Sequence, residues 1–302
     1  MRELLFLAHR FPYPPDKGEK IRSWNMIRHL AKTWRVHLGC LSVDGEDASH
    51  LDAVRAVCGE VASFPISPRG QKLRALARLR PGRPLMVDYY DHAGLAAWVA
   101  KLLAERPIGL GFAYSTPMAQ YFDGAGVPWV LDMVDVDSEK FAAYGAEGRW
   151  PMRHVWAREA RTLLAYEAQS VRQAELSLLV SEAECRRFAT LAPQTEGRVF
   201  AVQNGVDLDY FHPRHTFLRH TFPRPWADDA PRVVFTGHMD YPPNAEAAIW
   251  FAGQVMPLLL AGTAAASLPR LLALRSLGQW VPPVSGVVLL ITGALTLLAN
   301  WI

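Results

Sequence analysis

Acidic residues run out early in this chain. No Asp or Glu follows Glu246, and no charge of either sign follows Arg275. Cysteine is scarce: Cys40, Cys58 and Cys185 are the full set. Three thiols at that spacing match no zinc pattern and suit a reducing cytosol, and Cys40, in an apparent strand, reads as plain core. The net charge is only +3, which gives no ground for a nucleic-acid partner. No signal peptide is expected, because Met1-Arg2-Glu3 leads straight into a short strand and Pro12 ends the apolar run. The body of the protein therefore reads as cytoplasmic. Walker A, G-x-S-x-G and H-E-x-x-H motifs are all missing. Gly109 and Gly111 are two glycines of a dinucleotide fingerprint whose third is absent, which argues against a nicotinamide enzyme. His215 and His220 fall in a proline-rich stretch with no carboxylate or cysteine beside them, so no metal site is expected.

Half of the 302 residues are hydrophobic, enough for one large domain or two ordinary ones. The chain is organised around residues 4–31. Leu4-Leu5-Phe6-Leu7 is an apolar run typical of a parallel strand covered on both faces. Pro12, Pro14 and Pro15 stop it. Asp16-Lys17-Gly18 then opens a helix with an apolar stripe of Ile21, Trp24, Met26, Ile27 and Leu30. Asp16 is a candidate cap, and Gly18 lets a ligand approach the backbone. A loop from a strand's carboxyl end to a helix's amino end is where open α/β sheets bind anionic groups.

Further strands are expected at 36–42, 61–66, 110–115, 129–133, 176–180 and 199–202. Helices are expected at 51–57, 71–79, 93–104, 150–172 and 182–191. This alternation implies a parallel sheet wound by helices on both faces. Residues 212–231 read as a linker. A second unit follows, with a strand at 232–236, a loop, and a helix at 245–260. From residue 263 the pattern fails. Residues 284–302 are long and uncharged enough for a transmembrane helix, with Arg270 and Arg275 ahead of it favouring a cytoplasmic amino side. A hydrophobic element of a truncated domain and translation in a shifted frame compete with that reading.

Asp132, Asp135 and Asp137 follow one strand closely. Such carboxylates repel one another and call for donors, a cation or solvent. Asp132 and Asp135 are the candidate catalytic groups, as a general base, as holders of a sugar hydroxyl or as ligands of a divalent metal. Asp137 or Ser138 is a candidate cap for the following helix, and Ser181 with Glu184 has the spacing of a capping box. Asn204-Gly205 follows a strand, and Gly237-His238 follows the first strand of the second unit. The cations of the long helix (Arg149, Arg153, Arg158, Arg161, Arg172), diluted by Glu159 and Glu167, read as a solvated face or a membrane-facing one.

Taken together, RFPYPPDKGEKIRSWNMIRHLA, LDMVDVDSEKF, LLVSEAE, VQNGVDLDYFHP and VFTGHMDYPPNAEAAIWFA resemble the group 1, or family 4, glycosyltransferases of GT-B architecture. Within them the chain looks most like the sugar transferases of PEP-CTERM/exosortase exopolysaccharide loci, over about residues 2 to 261. The resemblance implies an α/β fold with a complete Rossmann-like acceptor domain at 1–211. Residues 232–262 would begin a donor-binding domain, and the hydrophobic tail at 263–302 lies outside the resemblance. It implies metal-independent transfer of a hexosyl group with retention, from a nucleotide-sugar co-substrate to a polysaccharide or lipid-linked acceptor at the inner membrane surface. No further cofactor is implied. Asp16, Lys17 and Gly18 would face the cleft near the donor phosphates, and Asp132 and Asp135 would line the acceptor side. Asn204 and Gly205 would mark the hinge, and Gly237 and His238 the donor domain's phosphate loop. The family often has arginine where this chain has His238, and nothing after Gly262 matches the family's Glu-rich motif. The competing expectation is an inactive homologue serving as an acceptor-binding or membrane-anchored module.

Overall fold

The computed structural model describes residues 2–43, 49–209, 212, 233–237, 239 and 242–261. The chain divides into two units, Met1–Pro213 and Arg214–Ile302.

The first unit is built on seven parallel strands: β1 (Arg2–Ala8), β2 (Trp34–Val43), β3 (Val61–Ile66), β4 (Ile108–Tyr114), β5 (Trp129–Val134), β6 (Leu176–Leu179) and β7 (Val199–Ala201). Their order across the sheet is β3-β2-β1-β4-β5-β6-β7. This is a doubly wound, Rossmann-like sheet, and the strand order reverses between β1 and β4. The helices are α1 (Gly18–Leu30), α2 (Leu51–Arg55), α3 (Pro68–Ala77), α4 (Leu85–Tyr89), α5 (Ala93–Glu105), α6 (Asp137–Glu147), α7 (Met152–Gln173) and α8 (Glu182–Leu191).

Alternation along β1 explains the two cores. Leu5 and Leu7 pack with Leu95, Val99, Val171 and Phe188 on one face. Leu4, Phe6 and Ala8 pack with Trp24, Ile27, Val36 and Val54 on the other. A strand covered on both faces has no polar side, so its apolar run is continuous. Phe6 stacks on Phe112 with ring centroids 4.8 Å apart. Gly111 is glycine because a Cβ there would strike the Phe122 ring. It serves packing and not a cofactor.

Several expectations need correction. Ile21, placed on the buried stripe of α1, is exposed, whereas Lys20 and Arg22 are buried. Asp16 does not cap α1, whose cap position is Lys17 with no side-chain bond. Asp16 instead pairs with Lys20 at 3.5 Å. Neither Asp137 nor Ser138 caps α6 with its own side chain; a glutamate from α7 does so. Glu159 and Glu167 do not dilute a solvated face, because both are buried. The capping box at α8 is half formed. Ser181 Oγ accepts from the Glu184 amide at 3.1 Å, but the Glu184 carboxylate turns away to the Val136 amide. Helix α4 has no counterpart in the expectations, since five residues are too few to show a period.

In the second unit, residues 233–236 form no strand. A strand is stable only beside another, and the described residues of this unit supply none. Val233 and Val234 are accordingly exposed. A helix, α9 (Pro242–Trp250), follows and runs through a π-helical stretch, Phe251–Val255. The transmembrane candidate at 284–302 and the linker's His215 and His220 lie outside the described residues. Among the described residues no helix is long and apolar enough to cross a membrane.

Candidate functional site

The crevice of an open parallel sheet lies outside the strands' carboxyl ends, where the order reverses. Here that is the mouth between β1 and β4. Four segments reach it: residues 9–19 after β1, Ser115 after β4, residues 134–138 after β5 and residues 202–204 after β7.

Arg22 on α1 ties three of these together. Its guanidinium donates twice to the Asp132 carboxylate, from Nε to Oδ2 at 2.9 Å and from Nη2 to Oδ1 at 3.2 Å. Its Nη1 donates to the Val202 carbonyl at 2.8 Å and to Asn204 Oδ1 at 2.9 Å. Both partners of the ion pair are buried. A planar fork matches a carboxylate in this way and lysine could not replace it. Burial pushes the Asp132 carboxyl above its usual value, and the Arg22 fork and the Val134 amide pull it back. Periodicity gives no warning of this role. Arg22 projects away from the face marked by Lys20, Trp24 and Ile27, and is buried because the segment after β7 covers it.

The wall of the mouth at β1 and β4 is aromatic. His9 stacks on Tyr114 at 5.8 Å between centroids and meets the edge of Tyr90 at 5.5 Å. Its Nδ1 is buried and has no hydrogen-bond partner among the described residues. Burial first, and then the charge of Arg10, pushes the His9 pKa down to about 4, so the ring is neutral at pH 7. The Tyr114 hydroxyl donates to the Glu19 carbonyl at 2.8 Å. Arg10 pairs with Glu19 at 3.3 Å, and its charge acts on the Tyr90 hydroxyl, whose pKa burial nonetheless raises. The charge of Asp137 is felt at both His9 and Tyr90.

The three aspartates expected to crowd one another are dealt to three environments. Asp132 faces Arg22. Asp137 takes Lys140 Nζ at 2.8 Å. Asp135 is exposed, with its carboxyl held up by partial burial and by the charges of Asp137 and Glu184. Val134, between them, has φ of 69°, a left-handed conformation that a β-branched residue adopts only under constraint. Two constraints act there: the Val134 amide donates to Asp132 Oδ1 at 3.1 Å, and the Val180 amide donates to the Val134 carbonyl at 2.9 Å.

Behind the mouth, α7 supplies buried carboxylates as caps. Glu159 accepts from the Leu85 and Met86 amides at 2.7 and 2.8 Å, at the start of α4. Glu167 accepts from the Ser138 amide at 3.1 Å and from its hydroxyl at 2.5 Å, at the start of α6. Burial pushes the Glu167 carboxyl up to about 8. These caps fix α4, which carries Tyr89, and α6, which carries Asp137.

The structure thus brings Asp132 and Asn204 together through Arg22. Gly18 is exposed and a Cβ on it would meet nothing within 4 Å, and the same openness holds at Gly205. Lys17 is half-buried at the start of α1. Gly237 packs against the Asn244 side chain inside the second unit, and His238 lies outside the described residues. The sequence pattern marks none of His9, Tyr90 and Arg22, and it offers Glu167 only as a charge diluting a cationic face. Among the described residues no cluster of His, Cys, Asp and Glu could hold a metal ion.

No family model matches the chain, and no curated protein matches it. Solved structures similar to it include UGT2 of Phytolacca americana in complex with UDP-2-fluoro-glucose and pterostilbene. That likeness is 11% identical, with a TM-score of 0.41, over 68% of this chain and 55% of that one. TcCGT1 in complex with UDP is similar at 11% identity and a TM-score of 0.41, over 69% and 54%. UGT89C1 of Arabidopsis thaliana in complex with UDP is similar at 11% and 0.39, over 68% and 50%. The chain spans about half the length of these structures, and a likeness at this level transfers no substrate to it.

Proposed function

We propose that the first unit is the acceptor side of a GT-B glycosyltransferase of the family 4 type. It would move a sugar from a nucleotide-sugar donor to a polysaccharide or lipid-linked acceptor in exopolysaccharide synthesis. The observation that carries the reading is the mouth at the switch point. It combines aromatic faces (Tyr90, His9), exposed or half-exposed carboxylates (Asp135, Asp137) and a cation (Arg10). Sugars offer apolar C–H faces to stack on rings and hydroxyls to donate to carboxylates, so this mixture suits a saccharide.

In this reading the residues divide by exposure. Asp132 is a positioning residue: with no exposed surface and both oxygens engaged, it holds α1 and the 202–204 segment in register. Asp135 is the carboxylate open to an acceptor hydroxyl, and its raised pKa favours accepting a proton. Gly18, with Asp16 and Lys17, leaves space for a phosphate to approach the start of α1.

A second reading rests on the same mouth, whose rings and carboxylates suit holding a saccharide as well as transferring one. The chain would then hold an acceptor or a partner without transferring sugar. One assay on the full chain separates the two. Labelled nucleotide-sugars are incubated with the protein and a membrane lipid extract, and donor binding is measured in parallel by calorimetry. Donor binding with label moving into lipid or polysaccharide supports the transferase. Saccharide binding by folded protein with no donor affinity supports the binding module.

A further inference from the structure

Helix α3 faces the wrong way for a solvated helix. Its inward face is Gln71 and Ala75, both buried, with Arg74 and Arg78 reaching Asp91 at 3.5 and 2.5 Å. Its outward face carries Leu73 and Leu76, and Leu79 follows in the next turn of chain. These leucines are 68%, 54% and 53% exposed. At 100° per residue Leu73 and Leu76 project opposite Gln71 and Ala75. An amphipathic helix in water does the reverse, so this face is built for a partner.

Charge identifies the partner. Between Glu60 and Asp88 there is no acidic residue, while Arg69, Lys72, Arg74, Arg78, Arg80 and Arg83 all lie there. Three of the six are satisfied within the fold, by Asp91 and Asp88. Arg69, Lys72 and Arg80 form no ion pair among the described residues and are exposed around the leucines. Leucines ringed by cations match the headgroup boundary of an anionic bilayer: the leucines enter the acyl region and the cations stay at the phosphates. A second copy fits poorly, because a twofold contact through this face would set Arg69, Lys72 and Arg80 against their own counterparts.

We propose that α3 is an interfacial docking helix that seats the first unit on an anionic membrane surface. The helix follows the carboxyl end of β3 and binds Asp91, just beyond the Tyr89–Tyr90 pair. Docking there would bring the mouth to the membrane, where a lipid-linked acceptor is presented. That last clause rests on the transferase reading, whereas the docking stands without it.

The test is vesicle partition of the full chain, with no nucleotide-sugar present, so its outcome is independent of transfer. Vesicles of phosphatidylcholine alone are compared with vesicles holding about one third phosphatidylglycerol. The proposal expects binding to the anionic vesicles, weakened by salt and about tenfold or more lower for L73S/L76S/L79S. Charge removal in R69Q/K72Q/R80Q should weaken it several-fold. The replaced leucines are exposed, so thermal melting should show all variants folded. Unchanged binding by both triple variants overturns the proposal and assigns membrane affinity to another segment. Equal affinity for neutral and anionic vesicles overturns the electrostatic argument. A shift from dimer to monomer in the leucine variant, with no vesicle binding by the wild type, assigns the face to a second copy.

Discussion

Arg22 and Asp132 are 110 positions apart in the chain and form a forked, buried ion pair at the carboxyl edge of the sheet. The pair joins the helix after β1 to the end of β5, and through Val202 and Asn204 to the segment after β7. It is the point where the mouth's separate loops become one structure.

Breaking one side of this pair should be costly. Arg22→Met leaves the Asp132 carboxylate buried without its cation, and the expected loss is about 3–5 kcal/mol of unfolding free energy. Adding Asp132→Asn to Arg22→Met removes the stranded charge and should recover part of that loss. Denaturant unfolding of the two variants checks the sign of the recovery. Hydrogen exchange should also speed up around Val202 in Arg22→Met, where a cation bridge is lost.

Two buried groups should give stability opposite pH slopes. The Glu167 carboxyl is raised from 4.5 to about 8 by burial, so the folded state keeps a proton that the unfolded chain releases. Its contribution is complete below pH 4.5, declines as pH rises to about 8, and is flat beyond. Wild type should therefore lose stability relative to Glu167→Gln across that window. His9 is lowered from 6.5 to about 4, so the unfolded chain takes up the proton first. Its contribution is complete above pH 6.5 and is lost as pH falls toward 4. His9→Gln should flatten that acid limb. Paired melts from pH 4 to 9 test both.

Gly18→Ala separates folding from ligand approach. No atom within 4 Å would touch the new methyl group, and alanine suits a first helical turn better than glycine by up to about 1 kcal/mol. The variant should be as stable as wild type or slightly more so. If anions bind at this loop, their affinity should fall, and calorimetric titration with a nucleoside diphosphate reads it.

Gly111→Ala should destabilise by about 1–3 kcal/mol through overpacking against Phe122. Phe122→Leu in the same chain should relieve much of this. A glycine kept for a cofactor would show no such rescue.

The sheet was largely legible because its strands are buried on both faces. Runs such as Leu4–Leu7 and Leu176–Leu179 can be little else when turn signals bound them. Helix α8 was marked by Ser181 and its amphipathic pattern, and its bounds match the expected 182–191. The mouth was legible in place but not in roles. Asp132 and Asn204 could be picked out beside the strand ends, yet the residue that joins them, Arg22, looks solvated by helical period. The buried Glu159 and Glu167 were hidden for a related reason: a carboxylate used as another helix's cap carries no local signature. His9 shows nothing in sequence, because its isolation depends on Tyr90 and Tyr114, which lie 81 and 105 residues away in the chain.

The central claim is that the mouth between β1 and β4 receives a saccharide. Saturation-transfer NMR on the full chain, with a panel of neutral and acidic oligosaccharides, tests it most directly. The account predicts saturation of sugar protons by wild-type protein, lost in Tyr90→Ala and reduced in Asp135→Asn, with Gly111→Ala at matched folded fraction as the unaffected control. Saturation that survives Tyr90→Ala and Asp135→Asn unchanged, or no saturation from any saccharide with folded wild-type protein, would contradict it.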